Sequence, residues 1–267
     1  MEEKITIDPA TTCMLAVCEE EGITTAFQRA EDMKPCPIGS GRSGICCKNC
    51  NMGPCRLTKP GQVGLCGATA DVVAARNLAR AVAAGCAAHS DHGRDLALTL
   101  LAAAEGEAPD YKIRDVNKLM SVAQIMGVPT KERPVNEIAE EVANRALAAF
   151  GQQTGEVLYA SRAPRKRQEI WRKLGIVPRG IDREVVEILH RTNVGNDQDP
   201  EHILRQTMRT ALADGWGGSM LGTDISDILF GTPSPILVKS NLGALSKDEV
   251  NIVVHGHEPT LSDMILT

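Results

Sequence analysis

Six of the nine cysteines in this chain fall between Cys36 and Cys66, and none lies beyond Cys86. A disulfide framework spreads its cysteines over the fold it staples, so crowding on one segment points instead to metal. Within the group, Cys47-x2-Cys50-x4-Cys55-x10-Cys66 is a complete four-thiolate donor set on one stretch of chain. The Cys-x2-Cys pair lets one tight turn offer two sulfurs to one centre. Gly53, Gly61, Gly64 and Gly67 let backbone amides approach and hydrogen-bond to sulfur. Zinc ribbons pair two Cys-x2-Cys knuckles and this chain has one, which favours a [4Fe–4S] cluster over zinc. The whole stretch from Pro35 to Gly67 is rich in Gly, Pro and Cys with little periodicity, so irregular backbone is expected there.

Cys46 and Cys47 are adjacent, and neighbouring side chains on extended backbone point to opposite sides. Cys46 is therefore expected to serve a different site from Cys47, with Cys36 as its partner. Two thiolates cannot complete a four-cysteine cluster, but a two-fold axis bringing Cys36 and Cys46 from two chains together would do so, which predicts a homodimer. The competing reading is that Cys36 and Cys46 are free thiols. Cys13, Cys18 and Cys86 belong to no such pattern and are read as buried structural cysteines.

Outside this segment the pattern is helical. Asp8-Pro9 is an N-cap followed by proline at the first helical position, opening a helix towards Met33 with an interruption near Gly22. From Asp71 to about Ala104, the richness in Ala, Leu and Arg predicts one long helix, or two joined near Gly85 or Gly93. Further helices are expected at about 114–126, 135–150, 164–174, 182–191 and 200–213. After Gly231-Thr-Pro233, the apolar runs Pro235–Val238 and Val250–Val254 read as short buried strands. The expected fold is a mainly α helical domain with an iron–sulfur loop, followed by the start of an α/β Rossmann-like domain. Its divisions are 1–70 for the N-terminal helix and Cys-rich segment, 71–232 for the helical domain, and 233–267 for the α/β beginning. One strand and part of a helix cannot close a sheet, so the chain reads as part of a longer product.

Charge excludes some partners. The formal net charge is −5 and the longest basic run is Arg165-Lys166-Arg167, so nothing resembles a phosphate-binding stripe and nucleic acid is not expected. No apolar run approaches the ~20 residues needed to span a bilayer, and Met1-Glu2-Glu3-Lys4 does not begin a signal peptide. A cytoplasmic protein is expected. Of the histidines, His89 and His92 are three apart on the long helix and share a face. His255 and His257 follow the second predicted strand at its carboxyl end, where open α/β sheets place ligands. His190 and His202 read as structural.

The motifs Cys36-Pro-Ile-Gly39, Gly44-Ile-Cys-Cys-Lys-Asn-Cys50, Met52-Gly-Pro-Cys55-Arg56 and Gly64-Leu-Cys-Gly67 resemble the N-terminal cluster region of nickel-iron carbon monoxide dehydrogenases. The resemblance continues through Ala88–Arg94, Leu189–Asn193, Asp197–Pro200 and Val254–Pro259. It implies one [4Fe–4S] cluster per subunit on Cys47, Cys50, Cys55 and Cys66, and a second cluster shared across the dimer on Cys36 and Cys46. It also implies a nickel-iron-sulfur active-site cluster with His257 (alternatively His255) as one ligand, and a proton relay using His89 and His92, since imidazole titrates near working pH. The implied reaction is CO + H2O to CO2 with two protons and two electrons, the electrons leaving to an external carrier such as ferredoxin. Nine residues separate Cys36 from Cys46 where the family often has seven, so the shared cluster is either [4Fe–4S] or [2Fe–2S]. The spacing that carries His89 and His92 continues at Asp95 and Leu98, which limits any relay to part of its length. The other cluster ligands of the family are downstream cysteines, which this chain does not have, so the chain is expected to be inactive alone. Three alternatives compete: a stand-alone iron–sulfur electron-transfer or dimerisation module, a hydroxylamine reductase-like hybrid-cluster protein, and a zinc-stabilised helical protein.

Overall fold

The computed structural model describes residues 6–32, 44–233, 248 and 250. Helix α1 (Pro9–Glu20) starts as the sequence predicts: the Asp8 carboxylate accepts from the Thr11 N–H at 2.7 Å, and Pro9 occupies the first turn, where no N–H is needed. It ends before Gly22, whose φ is +68°. Helix α2 (Ala26–Asp32) then opens on a capping box, with the Thr25 N–H donating to Gln28 Oε1 at 2.6 Å and the Gln28 N–H returning to Thr25 Oγ1 at 3.5 Å. None of the residues of α1 is buried; Cys13 on it is exposed and Cys18 half-buried. The expectation of buried structural cysteines therefore holds for Cys86, which is fully enclosed, and fails for Cys13, because no described element covers that helix.

Two short strands, β1 (Cys46–Cys47) and β2 (Cys55–Arg56), form an antiparallel pair. Helix α3 (Ala70–Glu105) runs for 36 residues without a joint at Gly85 or Gly93. It is followed by α4 (Val116–Met126), α5 (Val135–Gly151), a 3-10 turn at Leu158–Arg162, α6 (Arg165–Leu174), α7 (Ile181–Arg191) and α8 (Pro200–Ala213). A π-helical stretch, Asp214–Ser219, leads into α9 (Met220–Phe230). The described chain is thus mainly helical. Of the expected α/β beginning at 233–267, the strand Pro235–Val238 and all of Val250–Val254 after its first residue lie outside the described residues.

The chain forms two compact units, 1–77 with 193–200, and 78–192 with 201–267. In the second, α4 packs on α5 and α9, and α5 packs on α7. Leu100, Leu119, Val122, Ile138, Val142, Phe150, Ile181, Ile225 and Ile228 fill its interior, each contributing roughly 1.5–3 kcal/mol by leaving water. Helix α4 is well bounded: Asp115 accepts from the Lys118 N–H at 2.8 Å, and Gly127 ends it in the left-handed conformation at φ +70°.

No helix was expected for 214–230, a stretch that holds Gly215, Gly217, Gly218 and Gly222. The fold uses some of them as contact points. A Cβ on Gly218 would stand 3.3 Å from Ser90 Cα, and one on Gly222 would stand 3.2 Å from Gly93 Cα. Gly93 itself lies where a Cβ would meet Gly218 O and Phe150 Cζ, both at 3.0 Å. The backbones cross at a distance tighter than most Cβ contacts, and close packing at this crossing offsets the ~1 kcal/mol that each glycine costs a helix.

Candidate metal centre

The first unit is organised around the cysteine loop. In the β1–β2 pair Cys47 lies opposite Cys55, and Cys46 lies opposite Arg56. Because successive strand residues face opposite sides, Cys47 and Cys55 share one face and Cys46 takes the other. The chain then turns back on itself, the Gly53 N–H donating to Cys50 O at 3.2 Å. A second turn carries Cys66: the Gly64 N–H donates to Ala68 O at 2.8 Å and the Gly67 N–H to Gly64 O at 2.9 Å. Gly67 has φ +82°, a conformation that side chains disfavour.

Together these turns bring Cys47, Cys50, Cys55 and Cys66 around one hollow, with Val73, Ala68 and Val194 as its apolar wall. Polar hydrogens point at two of the sulfurs. The Leu65 N–H donates to Cys55 Sγ at 3.5 Å, and Arg76 Nη1 donates to Cys66 Sγ at 3.6 Å. Arg76 is 1% exposed, and its Nη2 donates to Asp197 O at 2.7 Å. Gln198 Nε2 donates to Cys66 O at 3.1 Å, and Asn77 Nδ2 anchors the loop at Gly44 O (2.6 Å) and Cys46 O (3.1 Å). Burial pushes the Cys66 thiol up, but the Ala68 N–H, the Arg76 guanidinium and the Gly195 N–H outweigh it and hold the thiol below its ordinary range. That favours the thiolate, the form that binds metal.

Two donors on the lining of this hollow, Asn49 Nδ2 and Arg76 Nε, are buried and have no acceptor among the described residues. A buried unpaired donor costs about 1–3 kcal/mol. An inorganic core bearing its own sulfide acceptors fits this arrangement, whereas a lone metal ion offers nothing for these hydrogens. Among the described residues, no three His, Cys, Asp or Glu side chains converge closely enough to hold a single ion. Four cysteines lining one hollow beside two buried donors that seek acceptors are a donor set that fits an iron–sulfur cluster.

Sequence reasoning met Asn49 and Asp197–Pro200 only within the motifs of the resemblance and gave neither them nor Arg76 a role at the site. A signal for Arg76 was present: it sits on the same stripe of α3 as Val72, Ala79 and Ala83, all buried, so an arginine there had to be enclosed. The approach of Asp197 and Gln198 to the cysteine loop spans more than 120 residues and leaves no local trace.

In the second unit His89 Nδ1 lies 2.7 Å from Asp214 Oδ1 and 3.1 Å from Ser219 Oγ, and Ser219 Oγ donates to Asp214 Oδ1 at 3.2 Å. His92, one turn on, is half-buried, while His190 and His202 are exposed. Cys36, His255 and His257 lie outside the described residues. No described helix is long and apolar enough to cross a membrane.

A family model described as the Prismane/CO dehydrogenase family matches residues 45–267. Carbon monoxide dehydrogenase 1 of Methanosarcina acetivorans is 52% identical over 263 residues, which cover 97% of this chain and 42% of that protein. Carbon monoxide dehydrogenase 2 of Carboxydothermus hydrogenoformans is 46% identical over 264 residues, covering 97% and 41%. Among solved structures, the as-isolated nickel-free carbon monoxide dehydrogenase of Thermococcus sp. AM4 superimposes with a TM-score of 0.86 at 46% identity, over 100% of this chain and 44% of that one. Carbon monoxide dehydrogenase IV of Carboxydothermus hydrogenoformans does so with a TM-score of 0.87 at 43% identity, over 99% and 42%. The chain therefore spans about two fifths of the length of the relatives it matches.

Proposed function

The chain belongs to the Prismane/CO dehydrogenase family, and on that premise we propose that it supplies the electron-relay part of an anaerobic carbon monoxide dehydrogenase. The observation that carries the reading is the gathering of Cys47, Cys50, Cys55 and Cys66 around one hollow in which the buried Asn49 Nδ2 and Arg76 Nε have no acceptor among the described residues. A [4Fe–4S] cluster bound there supplies one-electron transfer. The chain's own residues hold it by four thiolates, direct the Leu65 N–H and the Arg76 guanidinium at two of the sulfurs, and present Val73, Ala68 and Val194 as an apolar wall against water.

The rest of the proposal concerns residues and partners beyond this site. Cys46, on the opposite face of β1, pairs with Cys36 to share a second cluster, [4Fe–4S] or [2Fe–2S], across a homodimer axis. His257 contributes one ligand to the nickel-iron-sulfur cluster of the complete enzyme, with His255 as the alternative. His89, held at Nδ1 by Asp214 and Ser219, has its tautomer fixed by those bonds, which suits a proton-carrying imidazole; His92 is the next residue on that face. The reaction is oxidation of CO by water to CO2, with electrons passed to a carrier such as ferredoxin. A cytoplasmic setting, where thiols stay reduced, suits this chemistry.

The test is metal, acid-labile sulfide and viologen-coupled CO oxidation measured together on this chain produced anaerobically with iron and nickel supplied. About six irons per chain with a shared [4Fe–4S] cluster, or about five with a shared [2Fe–2S] cluster, without nickel or turnover, is the expected result. Nickel with turnover would show that the chain holds the whole active site, and zinc without sulfide would remove the proposal.

A further inference from the structure

We infer that Arg76 and Asn49 are positioning residues that set the reduction potential of the cluster on Cys47, Cys50, Cys55 and Cys66; the inference rests on the presence of that cluster. Arg76 is the largest fully buried side chain among the described residues, at 1% exposure. An arginine is almost never enclosed unless its charge is paired, yet no described carboxylate forms an ion pair with it. Among the described residues its acceptors are one carbonyl, Asp197 O at 2.7 Å, and one sulfur, Cys66 Sγ at 3.6 Å, while its Nε–H has none. The counter-charge that justifies burying this guanidinium is therefore on the cysteine side. Four thiolates around an iron–sulfide core supply it, and the negative charge grows by one on reduction.

Asn49 adds a second, independent donor. It sits between the ligand positions Cys47 and Cys50, lines the same hollow, and its buried Nδ2 has no acceptor among the described residues. A fixed positive charge and amide hydrogens available to the cluster both favour the more negative, reduced state, and so raise the potential. A single zinc ion, which undergoes no redox change, would gain nothing from either.

The experiment is a redox titration of the anaerobically loaded chain followed by electron paramagnetic resonance, with iron and sulfide assayed on each sample. Arg76→Met is expected to lower the midpoint by about tenfold in the one-electron equilibrium constant, about 59 mV. Arg76→Lys, which keeps the charge, recovers most of the shift, a pattern that mere loss of packing would not produce. Should Arg76→Met fail to load iron, Asn49→Leu decides the matter, with a smaller shift in the same direction. Unchanged midpoints in every variant that keeps its iron and sulfide would overturn the inference while leaving the cluster in place. Wild-type protein lacking iron and sulfide would overturn the cluster and the inference together.

Discussion

Cys47 stands directly across the antiparallel pair from Cys55, while its neighbour Cys46 stands across from Arg56. One residue of register thus separates two cysteines into two environments. Cys47→Ser and Cys55→Ser each remove a ligand on the hollow side and are expected to abolish the within-chain cluster, cutting bound iron by about four per chain. Cys46→Ser should leave those four in place and remove only iron shared between chains. Iron and sulfide assays on the three variants check this; an equal loss in all three would contradict the division of faces.

The long helix offers a paired test of packing against propensity. Gly85 and Gly93 both lie inside α3, but a Cβ on Gly85 meets nothing within 4 Å, whereas one on Gly93 meets Gly218 O and Phe150 Cζ at 3.0 Å. Gly85→Ala is expected to stabilise by up to about 1 kcal/mol, the helix-propensity gain. Gly93→Ala carries the same gain but forces two packed neighbours apart, an overpacking cost of about 1–3 kcal/mol, so the net effect is destabilising. Denaturant unfolding of the two variants should show midpoints moving in opposite directions.

These two glycines also show what the sequence could and could not reveal. Composition marked α3 as helical, but whether a glycine breaks a helix or seats a neighbour depends on residues far along the chain, Phe150, Gly218 and Gly222 among them. Helix α9 was missed for the same reason. The cysteine spacing carried the four hollow-lining residues and the opposed direction of Cys46, because turn geometry and strand alternation are local. Arg76 and Asn49 were legible only in hindsight, since their meaning depends on the loop and the 193–200 segment folding onto one unit.

Glu184 is fully buried and accepts from the Arg179 N–H at 2.8 Å, from Arg179 Nε at 3.0 Å and Nη2 at 2.9 Å, and from Gln206 Nε2 at 2.8 Å. Every lone pair of the carboxylate has a use. Glu184→Ala would leave the Gln206 amide without its carboxylate acceptor and Arg179 with Glu187 (2.6 Å) as its remaining carboxylate partner, and is expected to cost about 1–3 kcal/mol. Glu184→Gln, which keeps the shape and part of the bonding, should cost less. Thermal or urea unfolding checks the order.

Cys86 predicts an alkaline weakness. Burial, reinforced by the negative charges of Asp214, Asp182 and Glu184, pushes its thiol from the ordinary 9.0 up to about 12. The folded state thus favours the protonated thiol more than the unfolded chain does. Its contribution is whole below pH 9 and is lost as pH rises from 9 towards 12. The stability gap between wild type and Cys86→Ala should shrink by on the order of 2 kcal/mol from pH 8 to pH 10.5. A gap independent of pH over that range would contradict the burial argument. Iodoacetamide at pH 8 should also leave Cys86 unmodified until the chain unfolds.

The most direct test of the central claim is electron paramagnetic resonance of the anaerobically produced chain before and after dithionite, with iron and acid-labile sulfide counted on the same sample for wild type and for Cys55→Ser. The account predicts iron and sulfide in equal amounts, a signal that appears on reduction, and the loss of about four irons with that signal in Cys55→Ser. Zinc without sulfide in the wild type, or a reducible signal that survives Cys55→Ser unchanged, would contradict it.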